Sequence, residues 1–547
     1  MKTIAAVFAD FVEGPLGAPA VLNEPLAGRR VIDHTLQRLA RIGNADQRYL
    51  VVGRRDADQA ENAVKSACVR DRVRVMIIDD APYPRAPLIR AARRWGPAAW
   101  RGTPLSTTWF DEYINAFAVA QVLDRTGAEA ALCVEAHQAA LDPALSAAMI
   151  HHQQEQLADA KMVFTAAPPG LCGVVLRREA VRDLLEGDFP LGMLLTYRPE
   201  IPQPDPLTKP VCLPIDPRIA RTSARLMADT QGGREILSAA LTARGAEADA
   251  AAICDWFAEA VAPRPERLPI EVEVEITTDD PLPDTKLRPR GSRVPTRRLA
   301  DLGALKRLAR ELATYDDRRV VLGGFGDPLL HPEFSAICRV LRDCGVSAIG
   351  VVTPLVEMRD EVVEAMFSTP VDLIQVRLDA HSANTYNRVN GRDCYDRVIA
   401  NIHTLEQMRQ TRAAPRPFLL CSMTRCAATI AEMEAFYDHW MRVLGGALLE
   451  GYDSFGDALP TDDLIATIPP VREACRRLNR RMVLFADGST PQCSQDFAGS
   501  TKLGDWRRDS LASIWLGKPL SGLRVLHAAG DWSARPLCAA CEAWHRP

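Results

Sequence analysis

The sequence predicts an α/β protein made of two βα-patterned units and a small cysteine-rich tail. Three observations carry this. Short apolar runs alternate with helical stretches from residue 1 to about 198 and again from about 268, a proline-rich passage and a linker interrupt the rhythm between them, and four of the 14 cysteines crowd the C-terminal end. At 547 residues the chain is too long for one ordinary core.

In the first stretch "TIAAVFA", "RYLVVG", "RVMIID" and "AALCVEA" read as strands of a parallel sheet, and "VIDHTLQRLARI" as one of the helices covering it. "RPEIPQPDPLTKPVCLPIDP" breaks all periodicity, residues 222–262 read as Ala-rich helix, and "APRPERLP" reads as a linker. The βα rhythm then resumes with strand "IEVEVEI" and a helix carrying Leu302, Leu305, Leu308 and Leu312 on one face. Strand "RVVLGG", helix "PEFSAICRVLRDCG" and strands "AIGVVT" and "DLIQVRL" follow. This is the pattern of a partial or full (β/α) barrel, whose site lies at the C-terminal ends of its strands. The expected units are residues 1–262, 263–468 and 469–547.

Charge and hydropathy narrow the function classes. With 66 basic and 70 acidic residues the net charge is -4, so no global positive field points to nucleic acid or an anionic membrane. The initial apolar run is far shorter than a signal segment needs and is broken by Asp10 and Glu13, and no uninterrupted apolar stretch of about 18 residues follows. The sequence therefore reads as cytoplasmic. Ten cysteines sit singly, for example Cys133 and Cys338, and read as small buried hydrophobes. Cys475, Cys493, Cys538 and Cys541 cluster and call for a ligand.

The second unit resembles the radical S-adenosylmethionine enzymes. "VVLGGFGDPLLHPEF" is similar to their glycine-rich strand end, with Asp327 where a glutamate is usual, and "DLIQVRLDAHSANTYNRVNGRDCYDRVIANIHTL" matches a later passage at Asp379, Tyr386, Gly391 and Asn401. The resemblance implies a radical-SAM-type partial barrel with Gly323, Gly324, Gly326, Asp327 and Asp379 at the cofactor. The glycines would let the backbone approach a ligand, and a carboxylate would hold the ammonium of S-adenosylmethionine. The three cluster thiolates of that family are missing. After Thr277-Thr278 their positions fall on Asp280, Asp284 and Leu287, and no cysteine lies between Cys254 and Cys338. Thiolates are the soft ligands that hold iron in such clusters, which two carboxylates and a leucine do not replace. Arg377 likewise stands where a serine is usual, and Thr353-Pro354 where Thr-Asn is usual. Asp280 and Asp284 read as a solvated turn, with too few oxygens for a hard-cation cage.

The tail resembles the SPASM domain, in the order Cys475, "LFADGS", Cys493, "KLGD", "SLASIW", "GLR" and Cys538-x2-Cys541. Four thiolates on a β-hairpin and a C-x-x-C turn can surround a [4Fe-4S] cluster or hold zinc tetrahedrally. The resemblance implies the auxiliary cluster.

The first unit resembles nucleotidyltransferases of the glycosyltransferase-A type, and hence a Rossmann-like domain, through "NEPLAGRRVIDHTLQRLARI" and "ALCVEAHQAALDPALSAAMIHHQ". The corresponding phosphate loop, "FADFVEGPLGAPA", keeps Gly14 and Gly17 but has no Lys or Arg, and the metal position offers Glu135 and His137. His34 reads as a helix surface or core histidine, and Arg29 and Arg30 as solvent-facing residues at a helix start.

Two functions follow as expectations. In one, the protein is an iron–sulfur component without radical cleavage activity, holding a small molecule, peptide or protein partner in a sugar, polysaccharide or peptide modification pathway. In the other it is an enzyme, through nucleotidyl or glycosyl transfer in the first unit or S-adenosylmethionine binding in the barrel.

Overall fold

The computed structural model describes residues 1–79, 86–95, 114–157, 159–187, 191, 208–222, 224–260, 267–297, 299–369, 371–460 and 468–546. Residues 198–207 of the proline-rich passage and 262–266 of the linker lie outside them. The chain forms two compact units that divide between residues 262 and 263. None of the helices among the described residues is long and apolar enough to cross a membrane.

Strands of the first unit are β1 (Thr3–Phe8), β2 (Pro25–Leu26), β3 (Arg29–Arg30), β4 (Arg48–Gly53), β5 (Arg74–Ile78), β6 (Ala130–Glu135), β7 (Met162–Thr165), β8 (Val174–Arg177) and β9 (Cys212–Leu213). Seven of them make one sheet in the order β5-β4-β1-β6-β8-β7-β9. Strands β5, β4, β1 and β6 run parallel, and β8 turns antiparallel to β6 and β7. In β1, Ala5 and Val7 enter one apolar cluster while Ile4 and Ala6 enter another, so the strand is buried on both faces. That explains why it reads as an unbroken apolar run. The Ala-rich stretch forms helices Gln231–Arg244 and Ala250–Ala260.

In the second unit β10 (Glu271–Glu275), β11 (Arg319–Gly323), β12 (Ala348–Thr353), β13 (Leu373–Arg377), β14 (Phe418–Arg425) and β15 (Ala447–Gly451) lie side by side in sequence order, all parallel. This is a six-stranded partial barrel, consistent with the expected partial or full barrel, whose first four strands the sequence pattern marks. Val272, Val274 and Ile276 turn to the helix-covered core. Glu271, Glu273 and Glu275 occupy the other face of β10, because successive strand residues alternate sides.

Strands β14 and β15 were not among those expected, and neither was the tail's part in this sheet. Beyond β10 the sheet gains β16 (Arg481–Leu484) from the cysteine-rich tail, parallel to β10 with Glu271 opposite Arg481 and Val274 opposite Leu484. Arg481 reaches Glu271 at 3.0 Å and Glu273 at 2.9 Å. A single apolar core runs from Val272 and Leu322 to Leu484, Trp515 and Leu523. The tail, completed by the small hairpin β17 (Ser489–Thr490) and β18 (Gly504–Asp505), thus shares the barrel's sheet and core instead of forming a core of its own.

Candidate functional site

The loop after β10 closes over the barrel mouth with three arginines, each set against a carboxylate. Arg290 meets Asp280 at 2.7 Å with both side chains buried, and its Nη1 donates to the Gly324 carbonyl at 2.9 Å. Arg288 pairs with Asp379. Arg297 grips both oxygens of Glu275, at 3.0 and 2.9 Å, and lies 3.7 Å over the Phe485 ring. Asp280 is therefore a buried ion-pair partner, which corrects the expectation of a solvated turn; Asp284 is exposed as expected. Leu287 is buried against Val389, Cys426 and Tyr452.

The glycine-rich strand end is occupied by its own chain. A Cβ on Gly324, whose φ is +87°, would lie 2.7 Å from the Glu275 Cβ, and one on Gly326 would lie 2.2 Å from the Thr277 carbonyl oxygen. Both glycines thus let β11 and the end of β10 approach each other; Gly323 meets only ordinary contacts. Asp327 is fully buried, its backbone N–H donates to the Asp279 carbonyl at 2.7 Å, and its carboxylate accepts from Leu329 N at 3.2 Å. Burial pushes its pKa up to about 7. Asp379, at φ +58°, accepts from Thr424 N at 2.8 Å besides pairing with Arg288. These five residues gather at the C-terminal ends of β11 and β13, where a barrel carries its site. Of the positions that the resemblance aligns with cluster thiolates, Asp280 is committed to Arg290 and Leu287 to an apolar cluster.

The tail differs. Cys475, Cys493, Cys538 and Cys541 border one cavity, all as free thiols. Gln492 Nε2 donates to Cys538 Sγ at 3.3 Å. Burial, and then the nearby Cys475, push the Cys493 and Cys538 thiols up and that of Cys541 to about 11. A bound metal, iron in a cluster or zinc, would favour loss of these protons. Among the described residues no three His, Cys, Asp or Glu side chains are gathered as for a metal ion, and the cavity that the four thiols border is small, about 20 Å³. Of the other ten cysteines eight are buried; Cys344 is half-buried and Cys68 exposed, so Cys68 departs from the buried-hydrophobe reading.

In the first unit a cavity of about 330 Å³ lies at the C-terminal ends of the parallel strands, and Asp10, Glu13, Glu135 and His137 line it. His137 Nδ1 is 3.3 Å from Glu135. The loop itself has no basic residue, but Arg55 and Arg90 enter from other elements: Arg55 meets Asp10 at 2.8 Å, and Arg90 pairs with Glu13. Sequence order hid both, since they lie about 40 and 75 residues beyond the loop. Arg29 and Arg30 face Glu247 and Asp33 instead, and His34 is buried against the Leu26 carbonyl at 2.8 Å.

The second unit is thus a six-stranded parallel partial barrel joined to a thiol-lined tail. Residues 280–412 match the Radical SAM superfamily model, and residues 475–542 match the SPASM model, an iron–sulfur cluster-binding domain. Together these matches support the radical SAM/SPASM family. The chain is 28% identical over 254 residues to a protein of Treponema pallidum (strain Nichols) described as uncharacterized, covering 44% of this chain and 68% of that one. Among solved structures it is similar to Streptococcus suis SuiB bound to S-adenosylmethionine, at 12% identity and TM-score 0.39, over 57% of this chain and 85% of SuiB. It is also similar to a cytidylyltransferase from Leptospira borgpetersenii, at 11% identity and TM-score 0.34, over 48% of this chain and 96% of the other.

Proposed function

We propose that this chain is an iron–sulfur protein whose barrel binds a ligand or partner without cleaving S-adenosylmethionine, as an accessory component of a sugar, polysaccharide or peptide modification pathway. The observation that carries the reading is the cluster loop itself. It has no thiolate, and its Asp280 is spent on a buried ion pair with Arg290. Radical cleavage needs an iron with an open coordination position beside the cofactor. The four thiols of the tail would close an auxiliary cluster completely. When bound, that cluster supplies a redox centre and a cross-link for the tail. Around it the chain's own residues exclude water and donate to sulfur, as Gln492 does to Cys538.

The test is anaerobic purification with iron, sulfide and zinc quantified, followed by reduction and incubation with S-adenosylmethionine. About four irons per chain are expected, with no 5′-deoxyadenosine above a Cys493→Ala control. Stoichiometric zinc without sulfide would sink the cluster, and catalytic 5′-deoxyadenosine the non-cleaving barrel. A second reading, nucleotidyl transfer in the first unit, draws support from Arg55 and Arg90 beside Glu135 and His137. Release of pyrophosphate from an NTP and a sugar phosphate with Mg²⁺, lost in Arg90→Ala, would favour it.

A further inference from the structure

The barrel mouth holds a second cavity, of about 340 Å³, within the range of small-molecule sites. Its lining is rich in one chemistry: Arg288, Arg290, Arg377, Arg477, Arg481 and Arg546, with no lysine. Three carboxylates, Glu273, Glu450 and Asp453, share the wall. Two of the guanidiniums are backed by one acid each: Asp379 behind Arg288 and Asp280 behind Arg290. One carboxylate engages at most two of a guanidinium's five N–H donors, so such backing fixes the fork and leaves donors for another acceptor.

Arg377 is different. Its Nε is buried with no hydrogen-bond partner. Burial and the neighbouring Arg288 and Arg290 push its pKa down to about 9, even with Glu450 and Glu273 nearby. Glu450 accepts from Gln375 Nε2 at 3.1 Å. A desolvated guanidinium pressed by two others is costly unless an anion joins them. The remaining wall mixes apolar residues, Phe325, Phe455 and Leu449 among them, with the hydrogen-bonding Thr424, Ser494 and Gln495 and with His545, and suits a compact organic body better than a bare ion.

We propose that this cavity binds a small organic phosphate, its phosphoryl oxygens shared among Arg377, Arg288 and Arg290 and its organic part against Phe325 and Phe455. Phosphate is favoured over carboxylate because its several oxygens can take forks from three directions, whereas a carboxylate accepts one or two. The assignment rests on the reading of the barrel as a binding site without radical chemistry.

Full-length, cluster-loaded protein is titrated calorimetrically with glucose 1-phosphate, inorganic pyrophosphate, glucuronate and glucose. Binding of the two phosphates is expected, with glucose silent and glucuronate weaker. Arg377→Gln should weaken phosphate binding about ten- to a hundredfold, the range for a hydrogen bond to a charged group. Leu449→Glu, which adds a negative charge to the wall and leaves every arginine in place, should weaken it as well. Iron content and circular dichroism of both variants establish that they are folded; where Arg377→Gln is not, Leu449→Glu decides. Absence of phosphate binding at millimolar concentration overturns the proposal, as does phosphate binding that both variants leave intact, or glucuronate binding as tight as phosphate. The proposed function fails on a separate readout, 5′-deoxyadenosine formation, so the two failures are distinguishable.

Discussion

Asp327 shows how a single residue that resembles a ligand-holding carboxylate is used by the fold. It is fully buried, and burial raises its pKa from an ordinary 3.8 to about 7, with Asp280 pushing the same way and Arg290 opposing. The folded protein therefore keeps a proton that the unfolded chain releases, and this group's contribution to stability falls as pH rises from about 4 to about 7. Glu275 has the same sign, raised from 4.5 to about 7 by burial in spite of Arg297. Asp327→Asn mimics the protonated form and retains an oxygen for Leu329 N. Near pH 4 variant and wild type should melt alike, and by pH 8 the variant should be more stable by on the order of a few kcal/mol. Melting temperature against pH for the two proteins checks this. A difference that does not change with pH would show that Asp327 stays ionised throughout.

At the scale of elements the loop from β10 to helix Leu302–Leu312 is held by Arg297. Its guanidinium joins Glu275 on the strand, the Phe497 carbonyl and the Phe485 ring of the tail. Phe325 meets Phe455, Phe485 and Phe497 edge-on at 6.2, 6.1 and 6.1 Å, so the same corner is filled by aromatic rings. Arg297→Met keeps length and bulk but leaves a carboxylate buried without its cation. It should cost up to about 3–5 kcal/mol above pH 7, where the wild-type Glu275 ionises against Arg297, and less near pH 5, where Glu275 holds its proton. Denaturant unfolding at the two pH values measures this, and equal losses at both would assign the role of Arg297 to Phe485 and Phe497 alone. The elements of this corner were legible from sequence, but the pairings were not. Alternation in "IEVEVEI" placed three glutamates on one face of a strand, while nothing local said that Arg297 or Arg481 would meet them. Such pairs are fixed by strand order, a long-range property that local periodicity does not carry. The four tail cysteines were singled out for the opposite reason, by residue type and clustering, and all four border one cavity. Arg55 and Arg90 left no such mark.

For the whole molecule, the two units have separate apolar cores, and the tail shares one of them. Residues 1–260 build two clusters about the first sheet, whereas the principal cluster of the second unit continues from β10 through β16 to Trp515 and Leu523. Strand β16 follows Cys475 by a few residues, and Cys493 follows the β17 strand. The proposed cluster ligands are therefore tied to a strand that forms the edge of the barrel sheet beside β10. On the proposed function, removing iron leaves these thiols without a cation and frees the segments that carry them. The disturbance should pass to β16 and then to β10, because Arg481 bridges Glu271 and Glu273 and the backbones are paired. Hydrogen exchange of anaerobic holoprotein against protein stripped with a chelator and reductant tests this. In the stripped protein, amides of residues 481–484 and 271–275 should lose protection together, while those of β1, β4 and β6 keep theirs. Loss confined to residues 475–541, with β10 as protected as before, would mean that the tail behaves as an independent domain despite the shared sheet.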